Sequence, residues 1–553
     1  MQPRTRPLAV LAALSLALAL SSCGGDDDSS AAPSPTASAV PTASPSSTIT
    51  PTPAPTEPPT SLPTSSPTTA ATATPSDTAT PSPTASSSAG ATPSPTTTNT
   101  PAPAERPTLE PLEIHADEEW VRDEAGRVVL LRGANYSGLE FGNFIGRRNG
   151  PEESDFAQMA SWGFNVIRLP IAWSFIEPQP NQYDETFLAE QVDRVIDFAD
   201  RHGIVVVLET HQFQWSPCFT NGNGAPAWAC EGRGYPDNFG GYGQAGCDFF
   251  LGAEAPDGRA LIDHFVDVWR LLARRYAGDR RVAGFDFFNE PIYFSCFPFD
   301  GTFEREALNP FYRRLRAAVE EEGATQTFFY SPPITRNLMV PLAAEPMGPN
   351  VVYAPHLYTQ TFGLPQLKYD GDASTITADY ELATSEAHGL GGPLFSGEFG
   401  GNTNAEDGFR AATELFLRDT LAEQDRRLIG GAVWAYFPSD NTFSVVDAEG
   451  NEKGQLVDFL ARPYARRIAG IPTEMSFDFD TKEFLLRFVE DPEHNVPDPT
   501  EIFLPARHYP DGIELDIPSS GGGYAIEAGT TGARVLFFRG RAEMHEVRIR
   551  PPR

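Results

Sequence analysis

The sequence predicts an α/β protein, a (β/α)8 TIM barrel followed by a small antiparallel β-sandwich domain. Eight short apolar runs alternate with amphipathic helical patterns over roughly 350 residues, the repeat of a barrel with insertions. After about Gly470 the pattern changes to short alternating strands broken by turn residues, the spacing of a sandwich. No glycine-rich phosphate fingerprint follows the first strand, which disfavours the rival doubly wound open sheet.

The chain opens with a segment outside any fold. Arg4 and Arg6 precede an apolar run from Leu8 to Leu20, which leads into Leu20-Ser21-Ser22-Cys23. A basic start and an apolar stretch of about a dozen residues read as an export signal, residues 1–22. A permanent anchor helix needs about 20 apolar residues. The Leu-Ser-Ser-Cys tetrapeptide resembles a bacterial lipobox, which implies cleavage before Cys23 and lipidation of its thiol. The protein is then expected to be exported and lipid-anchored through Cys23 to a membrane of the bacterial cell envelope, its folded part outside the cytoplasm. Residues 23–107 form a linker that is almost only Pro, Ser, Thr and Ala from Ser29 to Ala104. Such a segment has too few large apolar groups to offset its ordering entropy and is expected to be an extended stalk.

The barrel is expected over residues 108–469. Its strands are predicted at Val128–Tyr136, Asn165–Ile171, Ile204–Thr210, Val282–Asn289, Thr327–Pro332, Val351–Tyr358, Pro393–Gly400 and Gly430–Phe437. Helical three- and four-residue spacing fills the gaps at Glu185–His202, Ala260–Tyr276, Glu304–Glu322, Ile376–Ala387 and Gly408–Glu423. A long insertion from His211 to about Asp257 follows the third strand and is rich in aromatic residues. A loop of that length is usually functional or stapled. Residues 470–553 carry the sandwich, beginning with the hairpin Met475–Asp480 and Glu483–Phe488.

The formal charge of −33 argues against nucleic acid or any polyanionic substrate, because nothing basic offsets phosphate charge. Of five cysteines, Cys23 is taken by the lipobox. Cys218, Cys230, Cys247 and Cys296 remain, an even number in an exported chain, and suggest two disulfides with three possible pairings. Zinc is disfavoured, since there is no Cys-x-x-Cys and no cluster of histidines.

Two strand tips carry chemistry. The run Val282–Phe288 ends in Asn289-Glu290-Pro291, and Pro393–Gly397 ends in Glu398-Phe399-Gly400. Paired carboxylates at the C-terminal ends of barrel strands are what acid/base-plus-nucleophile cleavage of a glycosidic bond requires. Asn-Glu-Pro alone is a weak motif; a buried strand before it and a second strand-tip glutamate give it weight.

The region from about Val128 to Phe437 resembles glycoside hydrolase family 5. The resemblance rests on Leu131-Arg132-Gly133-Ala134-Asn135, Asn165-Val166-Ile167-Arg168-Leu169-Pro170, His211, Asn289-Glu290-Pro291, His356-Leu357-Tyr358, Gly397-Glu398-Phe399-Gly400 and Trp434. It implies a retaining β-glycosidase with Glu398 as nucleophile and Glu290 as general acid/base. It further implies that Arg168 keeps Glu398 ionised, that Asn289 binds the sugar 2-hydroxyl, and that His356 and Tyr358 tune the two carboxylates. His211 would line the sugar pocket and Trp434 would stack under the sugar. The chemistry implies no metal or organic cofactor, and the protein is expected to act as a monomer.

Thr500–Pro505 followed by Arg507–Gly512, with Leu308–Tyr312 after the acid/base loop, resembles endoglycoceramidase-related members. That subgroup implies cleavage between a glycan or sugar and a lipid aglycone, with alkyl chains on the aromatic insertion. One departure is that relatives commonly carry Asp two residues before the third-strand histidine, where this chain has Glu209 and then Thr210. A β-glucosyl sterol, a glycosylceramide and a non-lipid β-glucan or mannan all remain open as substrates. The alternative from another class, a non-catalytic surface carbohydrate-binding protein, has no physical need for both glutamates.

Overall fold

The computed structural model describes residues 112–141, 150–361, 367–439, 442–494, 496–517, 523–529, 532–538 and 544–553. The signal segment, Cys23 and the Pro/Ser/Thr/Ala-rich linker lie outside the described residues. Eight parallel strands form the barrel: Arg132–Tyr136, Val166–Ala172, Val205–His211, Val282–Asp286, Thr327–Tyr330, Val351–Tyr353, Phe395–Phe399 and Gly430–Tyr436. The first six pair in chain order, and the eighth pairs with both the first and the seventh. Single parallel bridges, Tyr353 with Leu394 and His356 with Glu398, join the sixth and seventh and nearly complete the ring.

The strands read as continuous apolar runs because both faces are covered. Val166, Val205, Val207, Phe329, Val352 and Phe395 fill the interior near the barrel floor. Ile167, Leu169, Val206 and Leu208 alternate with them and pack outward against the helices. The main outer helices are Glu153–Ser161, Asp193–Arg201, Leu261–Tyr276, Asn309–Glu321, Ala373–Leu390 and Phe409–Arg427.

Two antiparallel sheets accompany the barrel. One has seven strands, in the spatial order Ile114–Ala116, Val121–Asp123, Val128–Val129, Tyr464–Ile468, Thr500–Pro505, Gly532–Phe538 and Gly523–Ala528. The other has four: Ile471–Phe477, Phe484–Val489, Met544–Arg550 and Glu514–Asp516. Their facing side chains, among them Phe484, Phe488, Val535, Phe537 and Val547, form a second core.

The predicted strand Val128–Tyr136 is therefore two strands. Val128 and Val129 pair antiparallel with Ile468 and Arg467, and only Arg132–Tyr136 enters the barrel. The apolar run is unbroken because it feeds two cores, Leu130 in the sandwich and Leu131 in the barrel. The fourth and sixth strands also end earlier than predicted, at Asp286 and Tyr353. Barrel and sheets are joined by a buried charge cluster in which Asp425 takes Arg462 Nη2 at 2.8 Å and also pairs with Arg132. The Arg132 guanidinium lies 4.3 Å from the centre of the Tyr464 ring.

The insertion is organised around a helix, Phe239–Phe250, that its glycine content conceals. A side chain at Gly243 would meet the Phe294 ring at 2.4 Å, and one at Gly246 the carbonyl of Ile292 at 2.4 Å. Those glycines let the helix lie directly on the segment after Glu290. Disulfides Cys218–Cys230 and Cys247–Cys296 resolve the open pairing. The second ties this helix to the loop after the fourth strand.

Candidate active site

Strand periodicity builds the site. On the third strand Val205, Val207, Glu209 and His211 share the interior face, so the apolar floor gives way to polar groups toward the C-terminal end. On the second strand Arg168 lies in register with Val207. Arg168 is buried and reaches three strands. Its Nε donates to Asp286 Oδ2 at 2.9 Å, Nη1 to Glu398 Oε1 at 2.8 Å and to Asn135 Oδ1 at 2.9 Å, and Nη2 to Asn289 Oδ1 at 2.9 Å. Glu209 Oε2 lies 3.6 Å from Nη1.

One guanidinium thus faces three carboxylates. Burial works against its charge, but Glu209, Asp286 and Glu398 outweigh burial and raise its pKa. The carboxylates carry the complementary cost. Burial pushes Glu209 up to about 8 against the pull of Arg168, with the Glu290 charge adding to it. Burial likewise pushes Asp286 up to about 6, again opposed by Arg168. Glu209 Oε1 and Asp286 Oδ1 are buried without a hydrogen-bond partner among the described residues. A single cation cannot neutralise three anions in a low-dielectric interior, and of Glu209 and Asp286 it is Glu209 whose carboxyl is raised further.

Glu290 follows the fourth strand with a positive φ of 42°, a conformation that a non-glycine residue adopts only when its surroundings hold it. The clamp is Gln212, whose Nε2 donates to the carbonyls of Asn289 at 3.0 Å and of Glu290 at 2.8 Å. The Asn289 amide returns a bond to the carbonyl of Gln212 at 3.1 Å. The Glu290 carboxylate takes Asn337 Nδ2 on Oε1 at 2.5 Å, and His356 Nδ1 lies 2.7 Å from the same oxygen. Burial raises the pKa of Glu290, while Asn337, His211 and Arg168 pull it down.

Glu398 lies on the seventh strand with donors on both oxygens: Arg168 on Oε1 and Tyr358 OH on Oε2 at 2.7 Å. His356 Nδ1 stands 3.4 Å from Oε2. Burial raises this carboxyl too, opposed by His356 and Arg168 and reinforced by Glu290. The direct contacts separate the pair. Glu398 has a full cation against it and Glu290 has none, which favours the ionised form of Glu398. Burial drives His356 down to about 3, so its imidazole is neutral.

Glu290, Glu398 and His356 each place one ligand-type atom within 4.8 Å of the others. Hydrogen bonds within the protein already engage Glu290 Oε1, both oxygens of Glu398 and His356 Nδ1. His211 and Trp434 stack with centroids 5.2 Å apart and planes 13° from parallel. Trp434 is half-buried, and His211 Nδ1 lies 3.0 Å from Glu209 Oε2.

Every barrel residue singled out from the sequence converges here: Arg168, His211, Asn289, Glu290, His356, Tyr358, Glu398 and Trp434. The aromatic insertion divides differently from expectation. Trp215, Phe219, Trp228 and Phe249 are core residues, while Phe213 is about half exposed. The sequence reading passed over Gln212, Asn337, Asp286 and Glu140. Asp286, a lone carboxylate between Phe285 and Phe287, carried the usable signal of a buried charge that needs a partner. Glu140 is buried after the first strand, where the amide of Gly138 donates to it at 2.6 Å; its charge opposes the burial that lowers the His211 pKa.

The sequence matches the family profile described as Cellulase (glycosyl hydrolase family 5) over residues 122–436. It matches the glycoside hydrolase family 5 C-terminal domain over residues 462–549. Endoglycoceramidase I of Rhodococcus hoagii (strain 103S) is 30% identical over 462 residues, which cover 76% of this chain and 85% of that protein. A glucosylceramidase of Rhizopus delemar is 27% identical over 239 residues, 31% of this chain and 34% of that one. Among solved structures, endo-glycoceramidase II from Rhodococcus sp. is similar with a TM-score of 0.66 and 25% identity, over 79% of this chain and 100% of that one.

Proposed function

The chain belongs to glycoside hydrolase family 5 and is a glycosidase, and from that premise we propose that it cleaves β-glycosidic bonds of glycolipids by double displacement. Glu398 is the nucleophile and Glu290 the general acid/base. The observation that carries this is the asymmetric support of the pair: Arg168 and Tyr358 on Glu398, neutral partners on Glu290. Glu398 attacks the anomeric carbon while Glu290 gives its proton to the departing oxygen. Glu290, now ionised, takes a proton from the water that releases the sugar. Oxygens of the two carboxyls within 4.8 Å support this retaining route, since inverting enzymes keep their carboxyls about 6.5–9.5 Å apart. Asn289, held by Arg168 with an amide hydrogen to spare, suits the sugar 2-hydroxyl, and Trp434 offers a ring face.

The glycolipid substrate rests on the family 5 C-terminal domain and on the endoglycoceramidases and glucosylceramidase among the relatives. The test is a substrate screen of Thr108–Arg553 with glycosphingolipid, steryl glucoside and β-glucan, alongside Glu290→Gln and Glu398→Gln. The expected outcome is turnover of a lipid glycoside with retention of anomeric configuration. Glu398→Gln should lose about 10³-fold or more. Reducing ends from β-glucan alone would overturn the lipid assignment. Sugar binding with no turnover above Glu398→Gln would overturn the mechanism.

A further inference from the structure

The two oxygens of Glu290 are not equivalent. Asn337 Nδ2 and His356 Nδ1 both meet Oε1, at 2.5 and 2.7 Å. No hydrogen bond to Oε2 occurs among the described residues. The protonation of His356 decides what the second contact means. Its Nδ1 faces Glu290 Oε1 and, at 3.4 Å, Glu398 Oε2, whereas Nε2 is buried with no partner. A bare Nδ1 lone pair facing two carboxylate oxygens is repulsive, and a buried unpaired N–H at Nε2 is costly. Both arguments put the single imidazole hydrogen on Nδ1. Oε1 of Glu290 therefore accepts two hydrogen bonds, which leaves Oε2 to carry the proton.

Asn337 comes from outside the eight strand tips. It sits in the short 3₁₀ turn Ile334–Leu338 after the fifth strand. That turn is fastened from two sides. The amide of Ile334 donates to the carbonyl of Pro291, the residue after Glu290, at 3.2 Å. Next to Asn337, buried Arg336 pairs with Asp379 at 2.7 Å and Glu386 at 2.6 Å, both on the helix Ala373–Leu390. Glu386 also accepts from Tyr353 OH at 2.8 Å and from the Leu342 amide at 2.7 Å. A buried guanidinium fixed by two carboxylates cannot drift, so the neighbouring amide is held at one distance from Glu290.

We propose that Asn337 is a positioning residue for the acid/base: it locks Oε1 of Glu290 as a hydrogen-bond acceptor and so directs the transferable proton to Oε2. The inference rests on Glu290 being the acid/base. Other charged or titratable groups face Glu290 as well: His356 and Tyr358 from the segment after the sixth strand, Glu398 from the seventh, Glu209 and His211 from the third, Arg168 from the second. Asn337 differs from these in being uncharged at every pH, so its removal changes the Glu290 carboxyl without adding a titration of its own.

The sign is definite. Asn337 stabilises ionised Glu290, in line with its lowering effect on that carboxyl. Without it, Glu290 holds its proton to higher pH. The experiment measures kcat/KM against pH for wild type, Asn337→Ala, Asn337→Asp and Glu290→Gln, on aryl β-glycosides with a good and a poor leaving group. Asn337→Asp keeps the shape and, once ionised, offers Glu290 no donor and sets a negative charge against it, which covers the case where Asn337→Ala does not fold. The alkaline limb should move up by about one pH unit in Asn337→Ala and further in Asn337→Asp. Activity on the poor leaving group should fall about tenfold, more than on the good one. An alkaline limb that stays in place in both folded variants overturns the role of Asn337. Persistence of that limb in Glu290→Gln instead overturns Glu290 as acid/base, so the two failures are distinguishable.

Discussion

Tyr358 and Arg168 divide the two oxygens of Glu398 between them, and the division makes a pH experiment specific. Removing the hydroxyl in Tyr358→Phe takes a donor from the ionised form and leaves the Arg168 contact intact. The Glu398 pKa rises, so the acid limb of the rate profile should move up by about half to one unit, with kcat down about tenfold. A fall in kcat with a fixed acid limb would mean that Tyr358 only shapes the pocket. Glu209 offers a stability counterpart. The unfolded chain ionises it near 4.5 and the folded protein near 8. Between those values the folded state holds a proton that the unfolded state lacks, so this contribution is complete below the lower value and is lost as pH rises to the upper one. Glu209→Gln cannot ionise. Its unfolding temperature relative to wild type should therefore improve steadily from about pH 5 to about pH 8. A pH-independent difference would show that Glu209 ionises alike in both states.

At the scale of elements, the insertion after the third strand is framework as much as binding surface. Its buried aromatics extend the barrel core, and Cys247–Cys296 ties its helix to the loop after Glu290. That disulfide closes a separation of 49 residues and Cys218–Cys230 one of 12. On loop entropy the longer closure stabilises by about 4 kcal/mol and the shorter by about 3. Replacing both cysteines of a pair by Ala should thus lower the unfolding temperature more for Cys247/Cys296, measured by differential scanning calorimetry. Loss of Cys247–Cys296 should also cost more activity, because that bond anchors the segment beside Glu290. Equal losses of activity would place the insertion outside the catalytic framework. What the sequence disclosed follows the same division. Arg168 and Glu398 were legible because they lie within apolar barrel strands, and Glu290 and His356 because they closely follow two others, places that open on one end of the barrel. Asn337 and Gln212 were not, because they act from a turn and a loop with no period. The helix Phe239–Phe250 was hidden by glycines whose purpose is close contact with residues distant in sequence.

For the whole molecule, the seven-stranded sheet draws on both ends of the described chain. Ile114–Ala116, Val121–Asp123 and Val128–Val129 precede the barrel in sequence yet join Tyr464–Ile468, Thr500–Pro505 and the strands beyond. The run Val128–Leu131 read as one barrel strand because period two cannot tell which of two cores a buried residue serves. The consequence is energetic. Val128, Leu130, Leu428, Tyr464 and Ile468 lie within residues 108–469 but are buried among residues of the C-terminal sheets. A chain ending at residue 469 keeps every catalytic side chain and the Arg132–Asp425–Arg462 cluster, but bares that apolar face. At about 1.5–3 kcal/mol per large buried side chain, the loss rivals the whole stability of an ordinary domain. The truncated chain should therefore aggregate on expression, and size-exclusion chromatography should find little monomer. Supplying residues 470–553 as a separate chain should restore some soluble, active protein, because the sheet then re-covers the same side chains. A truncated monomer with full activity on a small aryl glycoside would overturn this account and confine the C-terminal sheets to substrate recognition.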